Sequence, residues 1–257
     1  MKKFSRPFLL AIASVVFLTT PKSFAQTANE TPATTNAVVE NTATNPVPRD
    51  PAWVKRHEHF VAQAKQGGID ILFMGDSITD FWRSRGSNVW NQFYAPLHAA
   101  NFGINGDRTQ HVLWRMDNGE LDGIHPKVVV LMIGTNNTGK ERDKKTPRNT
   151  PSQVIEGVTA VVNDIRTKLP GSKILLLAIF PRGDGGPEQQ AQINEINPAI
   201  ARLADGKIVT FLDIGPKFLD ENGILPRTVM PDLLHPNEHG YQIWADAMNP
   251  TLDEMVK

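Results

Sequence analysis

Five residues of this chain have the types and the setting for chemistry on an acyl group. They are Ser77 in Gly75-Asp76-Ser77-Ile78-Thr79, Gly103 in Asn101-Phe102-Gly103, Asn136 in Gly134-Thr135-Asn136-Asn137, and Asp232 with His235 in Asp232-Leu233-Leu234-His235. A serine hydroxyl is a weak nucleophile until an imidazole takes its proton, and a carboxylate fixes the tautomer of that imidazole and steadies the imidazolium. Asp232 and His235 stand close enough for one loop to present both. Acyl transfer also needs donors aimed at the oxygen that becomes an anion. Ser77 itself, Gly103 and Asn136 form the candidate oxyanion hole. A glycine lets backbone approach a ligand closely, and an asparagine amide can reach into the same crevice.

Each stretch also has a plainer reading. Asp76 and Thr79 could cap the helix that follows, Gly103 could be an ordinary turn, and Asn136 could be a helix cap. Their joint placement favours the site, because the first three stretches each close an apolar run that reads as a buried strand. That is where open α/β sheets place a ligand crevice. Thr79 stands where a Gly-x-Ser-x-Gly elbow requires glycine, which disfavours that hydrolase class. His235 and His239 have the i, i+4 spacing of a zinc helix. Pro236 breaks that register, and the absence of cysteine leaves no obvious set of further ligands. His57 and His59 are expected on the surface of the first helix.

The elements that must position these residues alternate. Runs 69–74, 99–102, 127–133, 173–180 and 208–212 read as strands, and the third and fourth are apolar on both faces, as buried central strands are. Runs 53–65, 152–168, 188–204 and 240–256 have helical apolar spacing. Ser152 is the expected cap of the second, and Pro250 a kink or early stop in the last. Alternation of this kind predicts one α/β domain of three α/β/α layers, with a five-stranded parallel sheet and right-handed crossovers. The strand order 2-1-3-4-5 follows by analogy with flavodoxin-like sheets.

Composition bounds the rest. The 257 residues carry 27 basic and 27 acidic side chains and no cysteine. Lys2, Lys3 and Arg6, an apolar run from Phe8 to Leu18 and the small-residue end Ser23-Phe24-Ala25 read as a signal peptide over 1–25, the run being too short to span a bilayer. Those 25 residues hold four of the basic side chains and none of the acidic, leaving 23 against 27 and a formal charge of −4. Nothing there supports nucleic-acid binding, which wants a basic face. Residues 26–49, rich in Thr, Ala, Asn and Pro, read as a disordered linker, and 50–257 as the domain. Export, periplasmic or secreted and without a stable membrane anchor, is the expected location. Without disulfides, the fold must rest on its core.

Together the four blocks resemble the SGNH, or GDSL-like, esterase superfamily, with Ser77, Gly103, Asn136 and His235 at its naming positions and Asp232 as the triad acid. The likeness is greatest to the catalytic α subunits of platelet-activating-factor acetylhydrolase, through Asn101 to Ile104, Thr109 to Arg115 and Phe180-Pro181-Arg182-Gly183. It spans about 69–250. The resemblance implies a carboxylic ester hydrolase working through an acyl-enzyme with no cofactor, on a small-molecule or glycan ester, as monomer or homodimer. It also implies supporting, substrate-binding places for Asp76 and Asn105 near the oxyanion turn; His111 and Trp114 should pack on their helix. The chain departs from that branch in Asn105, which replaces a glycine, in its export-type N-terminus, and in the longer, more charged stretch 139–151. That stretch carries Lys140, Arg142, Lys144, Lys145 and Arg148 against Glu141 and Asp143, a net +3, and is expected to be a mobile loop at the mouth of the site. An exported esterase meets O-acetylated sugars and polysaccharides first. Lipid esters are the alternative substrate, and a non-catalytic binding domain the rival class.

Overall fold

Every side chain of the two central strands is buried, which is what continuous apolar runs demand when helices cover both faces of a sheet. The computed structural model describes Met1, residues 40–141 and residues 143–257; the expected signal peptide beyond Met1, and residues 26–39 of the expected linker, lie outside them. Strands β1 (Ile71–Gly75), β2 (Ala99–Asn101), β3 (Val128–Met132), β4 (Lys173–Leu177) and β5 (Val209–Leu212) form one parallel sheet in the order 2-1-3-4-5. Registers such as Phe73 opposite Asn101 and Gly75 opposite Met132 bring the strand ends carrying the chemistry to one edge.

Side chains alternate between two cores, as the two-residue period of a strand requires. Leu72, Met74, Val129 and Leu131 pack on α1 (Pro51–Gln66), α4 (Thr109–Asp117), α5 (Pro151–Lys168) and α6 (Gly186–Ile200), through Phe60, Val112, Val158 and Ile196. Ile71, Phe73, Val130 and Met132 face the aromatic cluster of Trp82, Tyr94, Tyr241 and Trp244, contributed largely by the segment after the short α2 (Ser77–Asp80) and by α7 (Glu238–Val256); α3 (Ser87–Phe93) adds Val89.

Four expectations change. Residues 40–49 are no free linker: Ala43 is buried, its carbonyl accepts from Thr109 Oγ1 at 2.7 Å, and Asn149 Nδ2 donates to Thr42 Oγ1 at 2.9 Å. A polar strap held by hydrogen bonds and one methyl group escapes any compositional rule. Gly157 of α5 lets it approach, since a Cβ there would lie 2.9 Å from the Ala43 carbonyl oxygen. Thr150, not Ser152, caps α5, its hydroxyl accepting from Gln153 N while Gln153 Oε1 accepts from Thr150 N; Pro151 takes the first helical position. α7 runs through Pro250 to Val256, because Leu252 and Met255 beyond it are buried. His57 is buried, stacked on Trp53 and bonded to the Asn118 carbonyl, whereas His59 is exposed as expected.

Candidate active site

The chain leaves β1 at Gly75 and turns at once into α2, so Ser77 sits at the carboxyl edge of the sheet as the first helical residue. Asp76 caps that helix, its Oδ1 accepting from Ile78 N at 2.9 Å. The Ser77 N–H belongs to the opening turn of the helix, whose amides have no helical acceptor. Phe81, one turn on, packs its ring 5.0 Å from the His235 ring.

The loop before α7 brings the other two groups. Leu233 holds a left-handed φ of 60°, uncommon for a branched side chain. Two hydrogen bonds keep it there: Leu233 N to the Met230 carbonyl and Gly183 N to the Leu233 carbonyl, both 2.8 Å. The turn lets Asp232 Oδ1 accept from the amides of Leu234 and His235 at 3.1 and 2.7 Å. Asp232 Oδ2 lies 2.8 Å from His235 Nδ1, and His235 Nε2 lies 2.9 Å from Ser77 Oγ. Both ring nitrogens are therefore engaged, and His235 precedes α7, off any helical register with the exposed His239. Burial raises the Asp232 carboxyl, but the amide and ring of His235 together outweigh it and hold the carboxyl down to about 2.

The three expected oxyanion donors converge on the strand ends in different states. Gly103 follows β2 and lies so close to α2 that a Cβ would stand 2.5 Å from Asp80 N. Its N–H already donates to Asn101 Oδ1 at 2.9 Å, while Asn101 Nδ2 donates to the Thr79 carbonyl at 2.8 Å. An oxyanion would share the Gly103 donor in a three-centre bond. Asn136 follows β3 in a short 3-10 turn. One hydrogen of its amide goes to the Asp107 carbonyl at 3.0 Å, which orients the group; an amide nitrogen carries a second. Arg148 and Arg182 pin this turn by donating to the carbonyls of Asn136 and Thr135 at 2.9 and 3.1 Å.

The two expected substrate contacts stand in different settings. Asp76 is wholly buried; burial pushes its carboxyl up to about 7 against the pull of the Ile78 amide, and its Oδ2 has no hydrogen-bond partner. Asn105 is exposed, and the bonds that define it run through its backbone: its N–H donates to Asp80 Oδ2 at 3.1 Å and its carbonyl accepts from Arg49 at 2.7 Å. His111 and Trp114 pack as expected, both against Trp53.

Sequence reasoning passed over three contributors. Arg85 reaches within 3.5 Å of Asp232 Oδ2, its guanidinium 4.8 Å over the Phe81 ring. Asn101 occupies the Gly103 amide; its place two residues before the glycine was the available signal. Asp107 is fully buried, accepts from Trp53 Nε1 at 2.6 Å, pairs with Arg115 at 3.0 Å, and offers Asn136 its carbonyl. Nothing in the sequence around Asp107 or Arg85 marks either one.

The described residues of 139–148 pair with one another across the segment. Lys140 bridges Pro147, Glu141 N donates to the Thr146 carbonyl at 2.8 Å, and Arg148 N donates to the Gly139 carbonyl at 2.9 Å, forming a tongue. Its base borders a cavity of about 580 Å³ whose wall includes Asn136.

A serine, an imidazole and a carboxylate stand in hydrogen-bonded series at the carboxyl edge of this sheet, an arrangement capable of acyl transfer. The GDSL-like lipase/acylhydrolase family matches residues 73–243, and the chain belongs to that family. It is 38% identical over 210 residues to platelet-activating factor acetylhydrolase IB subunit alpha1 of Homo sapiens, covering 79% of this chain and 85% of that one. Among solved structures it is similar in fold to a GDSL-like lipase from Bacteroides thetaiotaomicron, with a TM-score of 0.60, 18% identity and coverage of 77% and 97% of the two chains. A catalytic mutant of an acetylxylan esterase from Geobacillus stearothermophilus gives a TM-score of 0.57, 20% identity and coverage of 74% and 94%. The chain is a carboxylic ester hydrolase acting on ester substrates. Among the described residues, no helix is long and apolar enough to cross a membrane.

Proposed function

We propose that this esterase works through Ser77, His235 and Asp232 and removes small acyl groups, acetyl above all, from carbohydrate esters outside the cytoplasm. The observation that carries the mechanism is the series Ser77 Oγ, His235 Nε2 at 2.9 Å, and His235 Nδ1 to Asp232 Oδ2 at 2.8 Å. Ser77 Oγ attacks the ester carbonyl while His235 takes its proton. The oxygen that gains the charge is met by the Ser77 and Gly103 amides and the free Asn136 amide hydrogen. His235 then hands the proton to the departing alcohol, leaving Ser77 acylated. A water repeats the cycle with His235 as base and releases the acid.

The carbohydrate reading is supported by the export-type N-terminus. A lipid ester is the second reading, favoured by the identity to a platelet-activating factor acetylhydrolase subunit across most of both chains. Purified Ser77→Ala and His235→Ala should lose p-nitrophenyl acetate hydrolysis by at least about 10⁴-fold with unchanged circular dichroism, and the double variant should be little worse than either, since triad members act as a unit. Near-full activity in Ser77→Ala would overturn the mechanism. Parallel assays on acetylated glucose and on a lysophospholipid decide the substrate.

A further inference from the structure

The cavity that shares Asn136 with the oxyanion turn has a wall of guanidinium groups. Arg49, Arg108 and Arg148 line it, together with His111. At about 580 Å³ it lies in the size range of small-molecule pockets. Arg49 lies against Gly106, and donates to the Asn105 carbonyl at 2.7 Å and Asp107 Oδ1 at 3.2 Å. Arg108 opens its fork toward the tongue, where Glu141 fills it: Nη1 to Oε1 and Nη2 to Oε2, both 2.7 Å. Arg148 approaches the same carboxylate at 3.5 Å.

Of the neighbouring carboxylates, Glu141 alone fills the Arg108 fork. Asp143 also borders the cavity, but its oxygens are held by Lys145 N, Thr146 N and Thr146 Oγ1. Asp107 is buried behind the wall, where it accepts from Trp53 and pairs with Arg115 and with Arg49. The His111 ring accepts from Arg108 N through Nδ1, and burial with the nearby arginines keeps it neutral.

Resting on the esterase reading above, we propose that this cradle selects esters whose alcohol or acyl part carries a carboxylate, an acetylated acidic sugar being the fitting class, and that Glu141 is the built-in occupant such a substrate displaces. Three points support the assignment. The geometry is a bidentate guanidinium–carboxylate fork, which recognises a planar carboxylate rather than a charge alone. The Glu141 side chain is 37% exposed while Arg108 is 20% exposed, so the carboxylate stands on the open side of the arginine and can leave toward solvent. The cradle adjoins Asn136, so a substrate with its carbonyl at the oxyanion turn has room to lay an acid group on the arginines. Glu141 hangs from the tongue, whose own bonds run through backbone and through Asp143, so its side chain can swing out while the tongue stays folded.

The test compares kcat/KM for acetylated glucuronic acid, acetylated glucose and acetylated glycerol phosphate. Wild type should favour the glucuronate ester. Glu141→Gln should raise the glucuronate-to-glucose ratio about tenfold, mainly through KM. Arg108→Ala, or Arg108→Gln should the first fail to fold, should lower that ratio about tenfold. A ratio within twofold of wild type in both kinds of variant would overturn the proposal, as would a preference for the phosphate ester over the glucuronate ester. If no Ser77-dependent hydrolysis exists at all, the esterase mechanism fails separately. Glucuronate must then still raise Tm more in Glu141→Gln than in wild type, and not in the Arg108 variant, for the cradle to stand; a uniform shift would sink it.

Discussion

At the scale of the residue, the proposed site is built from groups oriented by hydrogen bonds to their neighbours. Asn136 can present one amide hydrogen to an oxyanion because its other goes to the Asp107 carbonyl. In the proposed mechanism this amide acts on charge that exists only at the transition state, so Asn136→Ala should lower kcat by about 10²–10³-fold with a small change in KM. Steady-state kinetics on p-nitrophenyl acetate check this, and an effect confined to KM would assign the amide to ground-state binding. Asp76 carries a different signature. Its folded carboxyl is raised to about 7, above the ordinary value near 3.8, so between those values the folded chain holds a proton that the unfolded chain has lost. That stability is fully present below about pH 4 and is lost as pH rises through 7. Asp76→Asn keeps an oxygen for the Ile78 cap and cannot ionise. Its Tm should decline less than that of wild type between pH 4.5 and 8; superimposable slopes would mean that Asp76 is charged throughout.

At the scale of the element, short segments do the positioning. The single-turn α2 sets Ser77 at the sheet edge within reach of His235, the left-handed Leu233 folds Asp232 back onto His235, and the 3-10 turn after β3 carries Asn136. The strap at 40–49 ties α4 to the segment just before α5, through Thr109 and Asn149. Gly157 is the test of that contact. Alanine is ordinarily the better helix residue by up to about 1 kcal/mol, yet here its methyl would press on the Ala43 carbonyl and on Thr109 Oγ1. Overpacking of this kind costs roughly 1–3 kcal/mol. Gly157→Ala should therefore lower Tm by several degrees, read by calorimetry, and a rise in Tm would show that the strap yields.

At the scale of the whole molecule, one sheet separates a helical core from an aromatic one, and the chemistry lies along the edge where four connections end. The proposed location follows from the first 25 residues. Expressed with its own N-terminus in a bacterium, the exported protein should begin at Gln26, as intact mass or N-terminal sequencing will show. An exported chain retaining Met1 to Ala25 would rule out cleavage, and a chain held in the cytoplasm would remove the argument for extracellular sugar esters.

The sequence alone determined what depends on local pattern. Alternating apolar runs and helical spacings required a parallel sheet between helices, and residue type with strand-end position marked Ser77, Gly103, Asn136, Asp232 and His235. Helix ends were legible only to within a few residues, because caps such as Thr150 and passage through Pro250 depend on what packs beyond them. The tertiary structure alone decided that Asp76 faces inward, that Asn101 already holds the Gly103 amide, that Arg85 adjoins Asp232, and that Glu141 fills the Arg108 fork. Each of these joins residues distant in the chain or turns on the direction of a side chain. No period or spacing records that, since burial and hydrogen bonding are fixed only when all the elements are packed at once.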